Sequence, residues 1–304
     1  MTPTRRQVLC GLGATALFGA PRMTLAADQI TLGQAKITTV SDGHLVLPKD
    51  FLLGDLPAVE TAPILEKYGI TGDVMHPPCN VTLLQDGDRT ILFDAGSGSG
   101  FMPSAGDLVD TLAALDVAPD DVTHVVFTHG HPDHLWGVLD DFDDLVFANA
   151  SYMIGQREWD YWTDPDTVNT IGEERASFAV GAARRLAALK DQVSFFSDGQ
   201  EVLSGVMAHA TFGHTPGHMS FEIRQGSDSV MVVGDAIGNG HLAFERPDWA
   251  SGSDQDAETG IKTRQRLLDQ LAQDKMAMIG FHLPDGGLGR VERNGDSYRF
   301  VSEV

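Results

Sequence analysis

Thr128-His129-Gly130-His131-Pro132-Asp133-His134 follows directly on residues 123–127, a mostly β-branched and apolar run that reads as a buried strand. Four potential metal ligands therefore fall within six residues, on a loop leaving a strand end. Such a loop aims neighbouring imidazoles at one point while the strand holds its base rigid. His129 and His131 can reach one metal, and Asp133 and His134 can turn toward a second beside it. Neutral imidazole and carboxylate are ligands that zinc accepts.

Further along the chain, three more candidates stand where this run needs them. His218 closes Gly213-His214-Thr215-Pro216-Gly217-His218, between two strand-like segments. Asp235 follows the apolar run 230–233, and His282 lies in Gly280-Phe281-His282-Leu283-Pro284. Each sits just past an element, where a ligand projects from a rigid scaffold. Together with the first run they supply enough ligands for two metals.

The remaining pattern alternates short strands and helices. Residues 36–40, 81–84, 90–93, 219–223 and 230–233 read as strands, and Leu108, Leu112 and Leu115 recur at helical spacing. Phe178, Ala182, Leu186 and Leu189 mark a second helix, and Ile261, Leu268, Leu271 and Ala272 a third. The longest turn-rich stretch is 238–252. One α/β domain over 28–304 accommodates this better than two.

Composition narrows the partners. The 304 residues carry 43 Asp and Glu against 21 Lys and Arg, a formal charge of -22, so the chain lacks the basic face that nucleic acid requires. A small-molecule substrate is expected instead. No apolar run reaches the roughly 18 residues that span a membrane, so no stable membrane anchor is expected. Two cysteines exclude a disulfide scaffold. Cys79 reads as a small packed residue, and the glycine-rich 96–100 as a turn, since no Gly-Lys-Ser/Thr follows it. Residues 1–27 have the layout of a signal peptide: Arg5-Arg6, a short apolar stretch, then Leu25-Ala26-Ala27, with no acid before Asp28. The paired arginines suggest the twin-arginine type and a periplasmic location.

The His-x-His-x-Asp-His run, with the later Gly-His-Thr-Pro-Gly-His and Gly234-Asp235 segments, resembles the metallo-β-lactamase superfamily from about Asp28 to the C-terminus. That resemblance implies a four-layer αββα sandwich with the metals at one edge. It implies a dinuclear zinc hydrolase with two Zn2+ ions per chain. His129, His131 and His218 would bind the first ion, Asp133, His134 and His282 the second, and Asp235 would bridge them. A hydroxide shared by the ions would attack an ester, lactone, thioester or phosphotriester. Asp133 or Asp235 would carry the proton to the leaving group. Asp94, in Leu92-Phe93-Asp94-Ala95-Gly96, would stand behind the metal loop.

Asp235 as a bridge points away from true β-lactamases and toward lactonase-like and organophosphate-hydrolase-like members. The stretch 234–256 and the ending from His282 through Val291 look similar to the methyl parathion hydrolase branch. Two departures stand out. Leu135-Trp136-Gly137 places a tryptophan where the family often has paired glycines, and 236–244 lacks the Tyr common in lactonases. Trp136, Tyr152, Trp159, Tyr161, Trp162 and Phe244 are candidates for an apolar cleft, while His44, His76, His214 and His241 are read as structural. Two other classes remain: a mononuclear-iron, persulfide-dioxygenase-like oxidoreductase that shares the early motif, and a non-catalytic periplasmic metal-binding accessory protein.

Overall fold

Side chains along 91–93 alternate between two apolar neighbourhoods, and those along 230–233 do the same. Leu92 packs against helices on one side, while Ile91 and Phe93 point to the opposite face. Val230 and Val232 join Ile91 and Phe93, whereas Met231 and Val233 point away toward another helix. A period of two with both faces apolar means that each sheet is covered twice.

The protein is described by a computed structural model over residues 28–302. The expected signal peptide, 1–27, lies outside the described residues. The first sheet begins with β1 (Gln29–Leu32) and β2 (Ala35–His44). A short ribbon of β3 (Leu47–Pro48) and β4 (Val74–Met75) brackets α1 (Lys49–Leu53) and α2 (Ala58–Lys67). The sheet is completed by β5 (Pro78–Asp86), β6 (Arg89–Phe93), β7 (His124–Val126), β8 (Ser151–Gly155) and β9 (Val193–Phe196), in the order β1-β2-β5-β6-β7-β8-β9. Its last four strands run parallel. They are connected through α3 (Leu108–Ala114), α4 (Pro132–Leu135), α5 (Gln156–Thr163), α6 (Thr167–Thr170) and α7 (Ala176–Leu189).

The second sheet follows chain order through β10 (Glu201–Leu203), β11 (Val206–Ala210), β12 (Met219–Gln225), β13 (Asp228–Gly234), β14 (Ala277–Gly280), β15 (Leu288–Asn294) and β16 (Ser297–Ser302). Here β13 and β14 are parallel, and α8 (Leu242–Glu245) and α9 (Ala257–Asp274) form their crossover. The Asp256 carboxylate caps α9 by accepting the Thr259 N–H at 3.1 Å.

Leu108 and Leu112 of α3 and Leu186 and Leu189 of α7 pack on Val81, Leu83 and Val125 of the first sheet. Leu267, Leu268 and Leu271 of α9 pack on Met231, Val233 and Met278 of the second. Ile37, Leu84, Phe93 and Val126 meet Phe221, Ile223 and Ile279 between the sheets. The layers are therefore helix, sheet, sheet, helix, the expected αββα order. Every expected strand and helix falls on an observed element. β7 is shorter than the run 123–127 that announced it, because the chain beyond Val126 already turns into the histidine loop. The C-terminal hairpin and the 47–76 excursion carry no comparable periodicity and were not foreseen. Among the described residues no helix is long and apolar enough to cross a membrane.

The tryptophan that departs from the family's glycines is accommodated by another glycine. A Cβ at Gly181 of α7 would stand 2.1 Å from the Trp136 ring, so the helix passes directly over it. Arg185, one turn on, stacks on the same ring at 4.2 Å and donates to the Trp136 carbonyl at 3.0 Å.

Phe221 is fully buried between the sheets, 5.3 Å from the Phe93 ring and 5.6 Å from Phe196. Phe221→Ala is expected to cost about 3–5 kcal/mol, read from urea unfolding midpoints. Cys79 of β5 is also fully buried. Burial pushes its thiol up to about 11, against a weaker opposing pull from a hydrogen bond with His282. Peptide mapping after iodoacetamide treatment at mildly alkaline pH should find Cys79 unmodified in the folded protein and fully alkylated in urea.

Candidate metal centre

Every residue of the site stands at the carboxyl end of a strand or in the loop that leaves it. β7 ends two residues before Thr128, β13 ends at Gly234, and β14 ends at Gly280. Parallel pairing of β6 with β7, and of β13 with β14, points these ends to the same edge of the sandwich. His129, His131, His134, Asp133, Asp235 and His282 all meet there, each less than a tenth exposed.

They form two groups that share Asp235. The first is His129, His131, His214 and Asp235; the second is Asp133, His134, Asp235 and His282. In the first, His131 Nδ1 lies 3.0 Å from His129 Nε2 and 2.8 Å from His214 Nε2. Asp235 Oδ2 stands 3.2 Å from His214 Nε2 and 4.0 Å from His129 Nε2. In the second, His282 Nε2 is 3.2 Å from both Asp133 Oδ2 and Asp235 Oδ2. His134 Nε2 faces Asp133 Oδ2 at 3.4 Å and Asp235 Oδ1 at 3.3 Å.

His214 occupies the place that sequence reading assigned to His218. The motif Gly-His-Thr-Pro-Gly-His offers two histidines four residues apart, and only folding decides between them. His218 is fully buried, but both its ring nitrogens are committed to the protein. Nδ1 pairs with Thr211 Oγ1 at 2.9 Å, and Nε2 accepts the Asp235 N–H at 3.0 Å. Burial pushes His218 down to about 3, so it stays a neutral acceptor. It supports the backbone of Asp235 from behind, while His214, read as structural, belongs to the cluster.

The groups behind the rings set their tautomers. Asp94, buried and in a left-handed conformation (φ 72°), accepts from Thr128 N and Oγ1 at 2.7 Å each and lies 2.8 Å from His134 Nδ1. Thr128 Oγ1, donating to Asp94, is left to accept from His129 Nδ1 at 3.0 Å. His282 Nδ1 donates to the Pro78 carbonyl at 2.7 Å. Each of these contacts places a proton on Nδ1 and leaves the Nε2 lone pair facing inward. His214 Nδ1 lies 3.4 Å from Asp254, which is paired with the buried Arg264.

Lone pairs and carboxylate oxygens that face one another repel unless positive charge lies between them. His134 Nε2, Asp133 Oδ2 and Asp235 Oδ1 are buried and make no hydrogen bond. Burial opposes ionisation of Asp133 and Asp235, yet the facing His134 and His282 hold both well below the usual carboxylate range. Burial likewise opposes charge on His134 and His282, but Asp235 and Asp133 raise both well above the imidazole range. His129 and His131 move the other way, pushed down by burial and by neighbouring imidazoles. A donor set of five inward imidazoles and two carboxylates, buried and crowded together, fits a pair of divalent cations.

A cavity of about 220 Å³ opens onto this floor. Its walls are Leu45, Leu47, Phe51, Phe101, Met102 and Phe178, and Arg175 is the one guanidinium among them. None of the six aromatic residues expected in a cleft lines it. Trp162 and Tyr152 are fully buried in the first sheet's helix-side core, and Phe244 packs against α9 on the far side. The aromatic walls come from Phe51, Phe101 and Phe178, whose segments carry no motif that marks them.

The profile described as metallo-beta-lactamase superfamily matches residues 75–281, which span the clustered residues up to Asp235 and end one residue before His282. An uncharacterised protein of Bacillus subtilis (strain 168) is 28% identical over 206 residues, 64% of this chain and 79% of the relative. The structure of AidC, a dizinc quorum-quenching lactonase in complex with a product, superimposes with a TM-score of 0.86 at 25% identity, covering 91% of this chain and 97% of that one. The hydrolase AbOPH of the beta lactamase superfamily superimposes with a TM-score of 0.84 at 26% identity, with the same coverage. The chain belongs to the metallo-beta-lactamase superfamily and is a metal-dependent hydrolase.

Proposed function

We propose that the protein is a dinuclear zinc hydrolase of neutral, apolar lactones or carboxylic esters. The observation that carries this reading is the pair of buried clusters joined by Asp235 at the floor of an apolar cavity. His129, His131 and His214 would hold one ion, Asp133, His134 and His282 the other, with Asp235 between them. Bound there, the pair supplies Lewis-acid polarisation and a water acidic enough to be a nucleophile at neutral pH. The residues of the chain do the rest. Asp133 Oδ2 and Asp235 Oδ1, the two unpartnered carboxylate oxygens, are placed to move a proton from water to the leaving oxygen. Leu45, Leu47, Phe51 and Phe178 take the apolar substituent and exclude water around the scissile bond.

The second cluster favours this reading over a single-iron oxidoreductase, because Asp133, His134 and His282, which lie beyond the first group, have no use in a one-metal site. The likeness to AidC supports a lactone as the first substrate to try. Phosphotriesters stand next, on the resemblance of 234–256 to the methyl parathion hydrolase branch.

Metal analysis of the purified protein should give about two zinc ions per chain, followed by turnover of acylated lactones or aryl esters. His131→Ala and His214→Ala should each lose at least one ion and nearly all turnover, whereas His218→Ala should retain both ions with lower turnover. One iron per chain with no hydrolysis would overturn the reading. Periplasmic export is part of the proposal, supported by Arg5-Arg6 and the small residues before Asp28. Fractionation of the native host should place a chain shortened by about 27 residues in the periplasm, and recovery of full-length chain in the cytoplasm would refute it.

A further inference from the structure

Glu158 takes no part in the chemistry above, yet it is fully buried and touches both loops of the first cluster. It lies in the first turn of α5. Oε1 accepts the Gly130 N–H at 2.9 Å and the Trp162 Nε1–H at 2.6 Å. Oε2 accepts from Thr215 Oγ1 at 2.8 Å and the Gly217 N–H at 2.9 Å. Gly130 stands between His129 and His131, and Thr215 follows His214. The Trp162 ring abuts His131 at 5.6 Å. Four donors therefore bind one carboxylate: Gly130, Trp162 and Thr215 adjoin histidines of the first cluster, and Gly217 fixes the far end of the loop that carries His214. The fit is close: a Cβ at Gly217 would stand 2.3 Å from the Glu158 backbone nitrogen. The second cluster is held from elsewhere, by Asp94 behind His134 and by the Pro78 carbonyl behind His282.

We infer that Glu158 is a positioning residue that sets the cation affinity of the His129–His131–His214 site and leaves the Asp133–His134–His282 site unaffected. This rests on the two-metal reading. Glutamine keeps one carbonyl oxygen and turns an NH2 onto the other two donors, so one of the two loops loses its anchor whichever way the amide points. A merely structural role would weaken both sites alike.

The test is zinc affinity of the full chain, measured by chelator competition in two backgrounds. In His282→Ala, which retains the first site, Glu158→Gln is expected to weaken zinc binding about 10–100-fold. In His214→Ala, which retains the second, the same change should alter affinity by no more than about twofold. Trp162→Phe and Thr215→Val each remove one donor while keeping the bulk. They should reproduce the same one-sided weakening more mildly, and they carry the test should Glu158→Gln not fold. Equal losses in both backgrounds, or none in the first, overturn the inference while leaving the two-metal reading intact. A chain with neither His282→Ala nor His214→Ala that binds no zinc overturns that reading, and this inference with it.

Discussion

Two carboxylates and five imidazoles share one dry volume at the edge of the sandwich, and the rest of the structure is arranged around keeping them there. Burying such groups unpaired costs several kcal/mol each. The cost is tolerable only where their charges offset one another or a cation. Asp235 is the joint of this arrangement, with one oxygen toward His134 and the other toward His214 and His282. Its backbone is held in turn by His218. Flexible loops alone would let the like-charged atoms separate. Parallel strand ends do not, because their positions are set by cores on both faces of each sheet.

The two halves of the site are fastened differently. Around the second cluster the fasteners are acceptors placed directly behind rings, Asp94 and the Pro78 carbonyl. Around the first, Glu158 works mostly on backbone and on Thr215, fixing loops instead of tautomers. Both solutions use a buried acceptor to orient a lone pair toward the centre, and both come from elements packed into the helix-side core of the first sheet. Orientation and stability are thus coupled: the residues that aim the ligands are also among the least exposed in the protein.

On the solvent side, the 47–76 excursion brings Leu47, Phe51 and Leu52 against Phe101 and Phe178 and closes the cavity over the polar floor. An apolar wall beside a strongly polar floor selects for a substrate with a reactive polar bond and an apolar arm.

Much of this was legible before folding. The His-x-His-x-Asp-His run, Asp235 and His282 declare a metal centre because few other functions need those side chains at strand ends. Apolar runs along 91–93 and 230–233 declare strands, and Leu and Ala at helical spacing declare helices; that the strands are covered on both faces is seen only in the packing. The chain by itself could not choose between His214 and His218. They share one motif, and the choice depends on which ring meets Thr211 and the Asp235 N–H across the second sheet. Nor could it reveal Glu158, an ordinary residue of a short helix until four donors from distant segments converge on it. The cavity's aromatics were misplaced for the same reason: hydrophobicity says that a ring is buried, but not whether it is buried in the core or beside the substrate. Local spacing determined which chemistry is present, and long-range packing decided which atoms carry it out.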